Sequence, residues 1–443
     1  MSTSALDPHA AIVATAGGTA GGSLTTADGK PLKASLAAAE AHRRRRALLL
    51  VLPLFLFVLI TFIAPIGQML LRSVSDPRFI EHTDLGTGEV TPIMVNLREW
   101  FDANPAGTEP DEAAYAALAA DLVVLGDLRA QGNVGTRINY DAPGTRSLFT
   151  KSTRRAEDAE APYREAMLDI DDGWDDPALW QAMRSASSRF TPNFYLAALD
   201  LERSPEGEIR RVDERQRVYL MLFQRTAILS VLITVLTLIL GFPIAHLLAT
   251  LPLRYSNLLM IFVLLPFWTS LLVRTTSWIV LLQSQGVVND LGVAAGLIED
   301  ESRLQMIYNQ TGTIIAMTHI LLPFMVLPLY SVMRPIDPSY VRAARSLGAS
   351  SWTAFRRVYL PQTVPGIGAG ALLVFILAVG YYITPALVGG SDGQLISNLI
   401  AFHMQKSLNW SLAAALAALL LGGVLILYWL YDRIVGIDNL KLG

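Results

Sequence analysis

The sequence predicts an all-α integral membrane protein with six transmembrane helices and a large extracytoplasmic segment between the first and second. Three observations lead there. Hydrophobic residues make up 52% of the chain and charged residues 16%, against the roughly 25% charged that a soluble protein carries. The apolar residues gather in runs long enough to span a hydrocarbon core. Between two of those runs, residues 334–361 are too polar for lipid yet follow a strict helix–turn–helix grammar.

Residues 1–42, rich in Ala, Gly, Ser and Thr with no periodic apolar face, are expected to be a disordered cytoplasmic tail. Arg43-Arg44-Arg45-Arg46 then abuts an apolar run, Ala47 to Leu71. A signal peptide also places a basic region before an apolar one. This run exceeds the 7–15 residues of a signal core and shows no small-x-small cleavage site before Arg72. It reads as an uncleaved first span, residues 43–71, with its N-terminus held inside by the four arginines.

Residues 72–217 are charged and soluble in character, with acidic clusters such as Asp171-Asp172-Gly173-Trp174-Asp175-Asp176. Helices are expected over Asp111 to Leu125, Ala178 to Arg189 and Pro192 to Leu201. The stretch is too long for a structureless connection, so it reads as an extracytoplasmic (periplasmic) loop domain, an accessory docking or spacer element. Residues 218–435 hold five further spans: Tyr219 to Ala249, Leu258 to Leu282, Thr313 to Met333, Val364 to Val388 and Leu412 to Tyr431. Six spans put both termini, including a short tail at 436–443, in the cytoplasm. The charge bias agrees. Arg254, Arg334, Arg342, Arg345, Arg356, Arg357, Arg433 and Lys441 fall in inner loops. Outer loops carry Asp290, Glu299, Asp300, Glu301 and Asp392 against Arg303 and Lys406.

Within the polar stretch, Asp337 suits an N-cap and Pro338 the first helical position. Val341, Ala344 and Leu347 form an apolar stripe at three-residue spacing. Gly348 can take the left-handed conformation that ends a helix, and Ser350 or Ser351 can cap a second one. There Trp352, Phe355 and Tyr359 line one face, and Pro361 is expected to stop the helix.

This stretch resembles the coupling motif of the membrane subunits of binding-protein-dependent ABC importers, in which Glu-Ala-Ala, three residues, Gly and nine residues precede Ile-x-Leu-Pro. Ala343, Ala344 and Gly348 match at the right spacing, and Val358-Tyr359-Leu360-Pro361 closes the pattern. Arg342 stands where the family usually has Glu. Leu264-Leu265-Pro266-Phe267-Trp268-Thr269-Ser270-Leu271-Leu272-Val273-Arg274 and Ile320-Leu321-Leu322-Pro323-Phe324-Met325-Val326-Leu327-Pro328-Leu329-Tyr330 look like the matching blocks of spermidine/putrescine-type permeases. The resemblance implies the type I ABC importer permease fold and a bacterial inner-membrane location. It also implies a second, non-identical permease subunit, an ATPase dimer carrying ATP and Mg, and a periplasmic substrate-binding protein. Residues 75–190 have no counterpart in it and read as an insertion.

On that reading Arg342, Ala343, Ala344, Gly348, Trp352, Phe355, Leu360 and Pro361 meet the ATPase. The arginines 342, 345, 356 and 357 either contact partner acids or simply follow the positive-inside bias. Trp268, Arg274, Trp278, Phe375, Tyr381 and Tyr382 are candidates for the translocation path. An arginine in an apolar span is expensive, hence a functional candidate, although it can also snorkel or brace a neighbour. His246, His319 and His403 read as packed or interfacial rather than as proton relays. Pro243, Pro266, Pro323, Pro328 and Pro385 can loosen the spans.

No phosphate-binding loop occurs, since Gly29-Lys30 is followed by Pro31, so no cofactor is expected on this chain and no catalysis by it. A net charge of −3 gives no support for nucleic-acid binding. The absence of cysteine excludes disulfides, thiolate metal sites and cysteine chemistry. No acidic residue lies between Tyr219 and Asn289, so a tight intramembrane cation site lacks carboxylates. A polyamine substrate follows from the resemblance, with selection left to the binding protein; the residues themselves leave other small amines, amino acids and organic anions open. A self-contained secondary transporter or channel is the alternative, but it calls for intramembrane charge pairs or an inverted repeat. A membrane-anchored sensor leaves five spans unexplained.

Overall fold

The computed structural model describes residues 32–84, 86–204 and 208–435. The expected tails overlap the remainder: residues 1–31 and 436–443 lie outside the described residues. The tail expectation fails for residues 32–42, because helix α1 (Leu32–Val58) already begins there. It passes through a π turn (Leu59–Ile63) into α2 (Ala64–Arg72). The π turn precedes Pro65 directly, and the amide of Ala64 reaches the Leu59 carbonyl, five residues back. A proline removes a donor and crowds the carbonyl four residues earlier, and a widened turn relieves both effects.

Residues 73–217 fold around their own apolar core. A short β1 (Glu81–Thr83) and β2 (Val90–Pro92) pair antiparallel, as do β3 (Leu201–Arg203) and β4 (Ile209–Arg211). The rest is helical: α3 (Val95–Ala103), α4 (Glu112–Asp127), α5 (Gln131–Asn139), α6 (Thr145–Ser152), α7 (Tyr163–Ile170), α8 (Pro177–Ser187) and α9 (Asn193–Ala198). The three helices expected in this region are α4, α8 and α9. Asp111 and Asp176 cap α4 and α8, accepting from Ala114 at 2.9 Å and Ala178 at 2.8 Å. Tyr115, Phe149, Trp174 and Trp180 fill the centre edge to face.

The seam between this domain and the spans is partly apolar and partly polar. Phe194 and Ala198 of α9 pack on Leu412, Ala415 and Leu416 of the last helix. Beside them the buried Asp76 chelates Arg78 and lies 3.7 Å from Arg137, whose guanidinium stands 5.2 Å over the Phe194 ring. Burial alone pushes the Asp76 carboxyl up; the bond and charge of Arg78, then the charge of Arg137, outweigh it and hold the group below its ordinary value. The Tyr140 hydroxyl donates to the Ser407 carbonyl at 3.2 Å, closing the seam.

Five helices are long and apolar enough to cross a membrane, and a bent pair makes a sixth, among the described residues. After the first come α10 (Tyr219–Thr250), the pair α11 (Leu253–Trp268) and α12 (Leu271–Leu282), and a surface helix α13 (Val287–Ala294). Then follow α14 (Gln310–Met333), α15 (Pro338–Ser346), α16 (Ser351–Ala354), a second π turn (Phe355–Tyr359) and α17 (Leu360–Gly380). The chain ends in α18 (Ile383–Val388), α19 (Ile396–Gln405) and α20 (Trp410–Val435).

Two expected spans are corrected. The run Leu258 to Leu282 is not one helix: it turns by 98° at Thr269-Ser270, with the Thr269 amide bonded to Pro266 and Ser270 extended. The run Val364 to Val388 is interrupted at Tyr381-Tyr382. Lipid does not tolerate unpaired carbonyls, and here Ser397 and Asn398 side chains bond the carbonyls of Tyr381 and Tyr382 at 2.6 and 2.7 Å.

Helices α10, α14 and α17 share one core, with Leu229, Met317, Met325 and Val374 at its centre. Gly366 and Gly370 let α17 approach α14 closely. A Cβ on Gly370 would sit 2.7 Å from the Met325 sulfur, and one on Gly366 3.2 Å from the Pro328 carbonyl. The domain of residues 73–217 caps the start of α10. The buried Asp200, with φ of 55°, accepts from the amides of Val218, Tyr219 and Leu220 at 3.1, 3.1 and 2.8 Å. Replacing Asp200 by Ala removes the partner of three helix-terminal amides and is expected to cost about 1–2 kcal/mol. A thermal melt of the detergent-solubilised subunit should show a lower midpoint for Asp200→Ala than for Asp200→Asn, which keeps one acceptor oxygen.

Candidate functional site

The polar stretch folds as the two-helix bracket its residues dictate. Asp337 accepts from the Ser339 amide at 2.8 Å, and Pro338 opens α15. This bond, helped by Arg342, keeps the Asp337 carboxyl below its ordinary value. At the far end Gly348 has φ of 89°. The Ala349 amide bonds the Ala344 carbonyl at 3.1 Å and the Gly348 amide bonds Arg345 at 3.0 Å, the paired bonds of a Schellman cap. Ser350 then caps α16 through the Thr353 amide at 3.2 Å. A Cβ on Gly348 would meet nothing within 4 Å. The glycine is required by backbone conformation, not by crowding within this chain.

One expectation for the bracket is corrected. Pro361 does not stop the second helix. The π turn just before it lets the Leu360 amide reach Phe355, so α16, the π turn and α17 run on as one rod. Along the stripe of Val341, Ala344 and Leu347, Val341 packs against the core, whereas Leu347, at the cap, is 90% exposed. Leu347 joins Tyr340 and Trp352 on an outward apolar surface, with Arg342, Arg345, Arg356 and Arg357 exposed around it. Of the expected contact residues, Arg342, Ala343, Gly348, Trp352 and Pro361 are exposed. Ala344, Phe355 and Leu360 are half-buried.

Inside the spans, the candidate path residues divide. Trp278 donates to Nδ1 of His319 at 3.2 Å, and Arg274, one turn earlier on α12, lies in electrostatic range of His319 and Tyr381. The Arg274 Nε is buried and has no hydrogen-bond partner among the described residues. Next to this group Thr275 meets Thr384 across the α12–α18 contact at 3.3 Å. Trp268 is 70% exposed at the end of α11, and neither it nor Phe375 makes an aromatic pairing among the described residues. Tyr382 is exposed beside the α17–α18 break. No group of metal-binding side chains occurs among the described residues.

The structure gives specific partners to His246, read from the sequence as packed or interfacial, and to Arg334, read there only as an inner-loop charge. His246 hydrogen-bonds the Tyr359 hydroxyl through Nδ1 at 2.9 Å, and Arg334 donates to the carbonyls of Ala249 and Leu251 at 2.6 and 3.1 Å. The sequence signals were His246 three residues after Pro243, and an arginine at the end of a span. Both also have plainer readings.

Residues 238–435 match the family described as binding-protein-dependent transport system inner membrane component. The spermidine/putrescine transport system permease protein PotB of Escherichia coli is 35% identical over 210 residues, covering 47% of this chain and 76% of its own. The chain belongs to this family of inner membrane transport components. The protein of the same name from Haemophilus influenzae is 34% identical over 214 residues, 48% of this chain and 74% of its own. The E. coli inner membrane ABC transporter permease protein YdcU is 34% identical over 206 residues, 43% of this chain and 64% of its own. A solved bacterial ABC transporter that imports the acidic polysaccharide alginate aligns with 50% of this chain and 80% of its own, at 21% identity and a TM-score of 0.41. As a member of this family, the chain carries its matched region across the bracket and every candidate path residue, while residues 73–217 fall outside it.

Proposed function

We propose that this chain is the translocating subunit of an ATP-driven importer, and that the bracket at 334–361 seats on a separate ATPase dimer and passes its motion to the spans. The observation that carries the reading is a polar helix pair with rigid caps that turns Tyr340, Leu347 and Trp352 outward. Exposed apolar anchors of this kind on a capped scaffold suit a protein partner. Arg342, Ala343, Ala344, Gly348, Trp352, Phe355, Leu360 and Pro361 form or support that contact. ATP and Mg reside on the partner, and this chain contributes no catalysis.

A second permease subunit completes the path, and a periplasmic binding protein delivers the substrate. The relatives are named for spermidine and putrescine, which supports a polyamine as the cargo. With no acidic residue between Tyr219 and Asn289, the spans offer Trp268, Trp278, Phe375, Tyr381 and Tyr382 as aromatic faces for a cation. Arg274 with His319 works against tight binding there, so selection rests with the binding protein and the path is permissive. Residues 72–217 form an extracytoplasmic domain between the first and second spans, and both termini are cytoplasmic.

Topology gives the first test. The chain has no cysteine, so Asp127→Cys and Ser346→Cys create single labelling sites. An impermeant maleimide should label the first from outside intact spheroplasts and the second only after lysis; labelling of both from one side contradicts the scheme. The second test is Gly348→Asp, which adds bulk, charge and a backbone penalty of roughly 1 kcal/mol at positive φ. In the assembly of two permeases and two ATPase subunits, it should abolish transport and ATP hydrolysis stimulated by loaded binding protein, with the subunit still inserted. Arg342→Glu should be much milder. Normal stimulation in Gly348→Asp overturns the coupling role.

A further inference from the structure

Both ends of the bracket are fastened to the same helix. At its leading end Arg334 leaves α14 and places its guanidinium on the carbonyls of Ala249 and Leu251, at and just past the end of α10. Terminal helix carbonyls have no partner within their own helix, and a charged donor there makes one of the stronger hydrogen bonds available. At the trailing end, the π turn presents Phe355 and Tyr359 to α10. The Tyr359 ring lies 5.0 Å from that of His246, and its hydroxyl meets Nδ1 at 2.9 Å. Phe355 stands edge to face with Phe242 at 6.1 Å and with His246 at 6.4 Å. Trp352 stacks on Phe355, and Phe355 on Tyr359, each at 5.8 Å. A column of three rings thus runs from a tryptophan 67% exposed to a tyrosine 7% exposed.

We infer that α10 is the helix the bracket drives, and that Arg334, His246 and Tyr359 are positioning residues that make the bracket and residues 244–250 one body. The inference rests on the coupling role proposed above for the bracket. Pro243 lies one turn before His246 and leaves the Ile239 carbonyl without its usual donor. The helix is therefore softest just above the clamp, where a displaced inner segment can bend against the remainder. Helices α14 and α17 are continuous with the bracket in the chain; among the helices that are not, α11 is less well connected than α10. Helix α11 contributes only peripheral side chains to the shared core, and its Ser256 is itself bonded to Leu248 of α10 at 2.7 Å.

The test is coupling efficiency, substrate moved per ATP hydrolysed, in reconstituted assemblies with loaded binding protein. Tyr359→Phe removes one oxygen and keeps the ring column, so it leaves the fold intact. His246→Ala removes the partner of the Tyr359 hydroxyl, and Arg334→Met removes the donor to the carbonyls of Ala249 and Leu251. Each is expected to leave basal hydrolysis in place while lowering substrate moved per ATP by about tenfold, the scale of losing one hydrogen-bonded contact. His246→Asn and Arg334→Lys, which keep polar partners, should recover most of it. Unchanged coupling efficiency in Tyr359→Phe and Arg334→Met together overturns the assignment of α10. If that happens while Gly348→Asp abolishes stimulation, the bracket still couples but through another helix. If Gly348→Asp is also normal, the coupling role itself fails.

Discussion

A helix crossing a bilayer satisfies its backbone internally except at its two ends, where amides and carbonyls need partners from elsewhere. In this protein both ends of α10 are satisfied by other elements. Asp200 from the soluble domain takes three amides at one end, and Arg334 from the bracket takes two carbonyls at the other. The 32 residues between them make a rod about 48 Å long at 1.5 Å per residue. The packing of α14 and α17, the mounting of the outer domain and the placement of the bracket all refer to this rod. An element tied at both ends to separate bodies can carry a displacement between them, and any coupling it carries acts equally in both directions.

The remaining architecture keeps that rod in register. Close approach of α17 to α14 through Gly366 and Gly370 makes the bracket's two supporting helices a stiff pair. The π turn at Phe355–Tyr359 absorbs Pro361 without breaking the helix, so motion at α16 continues into α17 rather than dissipating at a kink. Phe194 and Ala198, packed on Leu412, Ala415 and Leu416, join residues 73–217 to α20, and the buried Asp76–Arg137 pair braces that face from within the domain. A stiff mount distinguishes this domain from a tethered appendage.

Much of this was legible in the residues, and the limits are physical. Long apolar runs revealed the spans because lipid permits little else. The bracket was legible because each boundary has its own chemistry: a carboxylate and proline at Asp337-Pro338, a positive-φ glycine at Gly348, a hydroxyl cap at Ser350. The breaks at Thr269-Ser270 and Tyr381-Tyr382 were not: Pro266, Gly380 and Pro385 flank them, but proline and glycine also occur in unbroken spans and both runs read as continuous. The second persists because Ser397 and Asn398 replace its missing helix bonds, and at the first Thr269 bonds back to the Pro266 carbonyl. Pro361 misled in the opposite sense, because the rule that proline ends a helix omits the π turn as a remedy. The contacts of His246 with Tyr359 and of Arg334 with the end of α10 were unreadable, because each joins elements that are distant in sequence.

The central claim is that the bracket and the inner end of α10 move together. Spin labels at Thr250→Cys and Ser346→Cys, in an assembly whose other subunits lack cysteine, report their separation by pulsed electron resonance. The account predicts the same distance distribution in nucleotide-free and ATP-bound states, while the distance from Ser346→Cys to a label at Asp127→Cys changes between them. A shift of several ångströms in the 250–346 distance, with the 127–346 distance fixed, would contradict it.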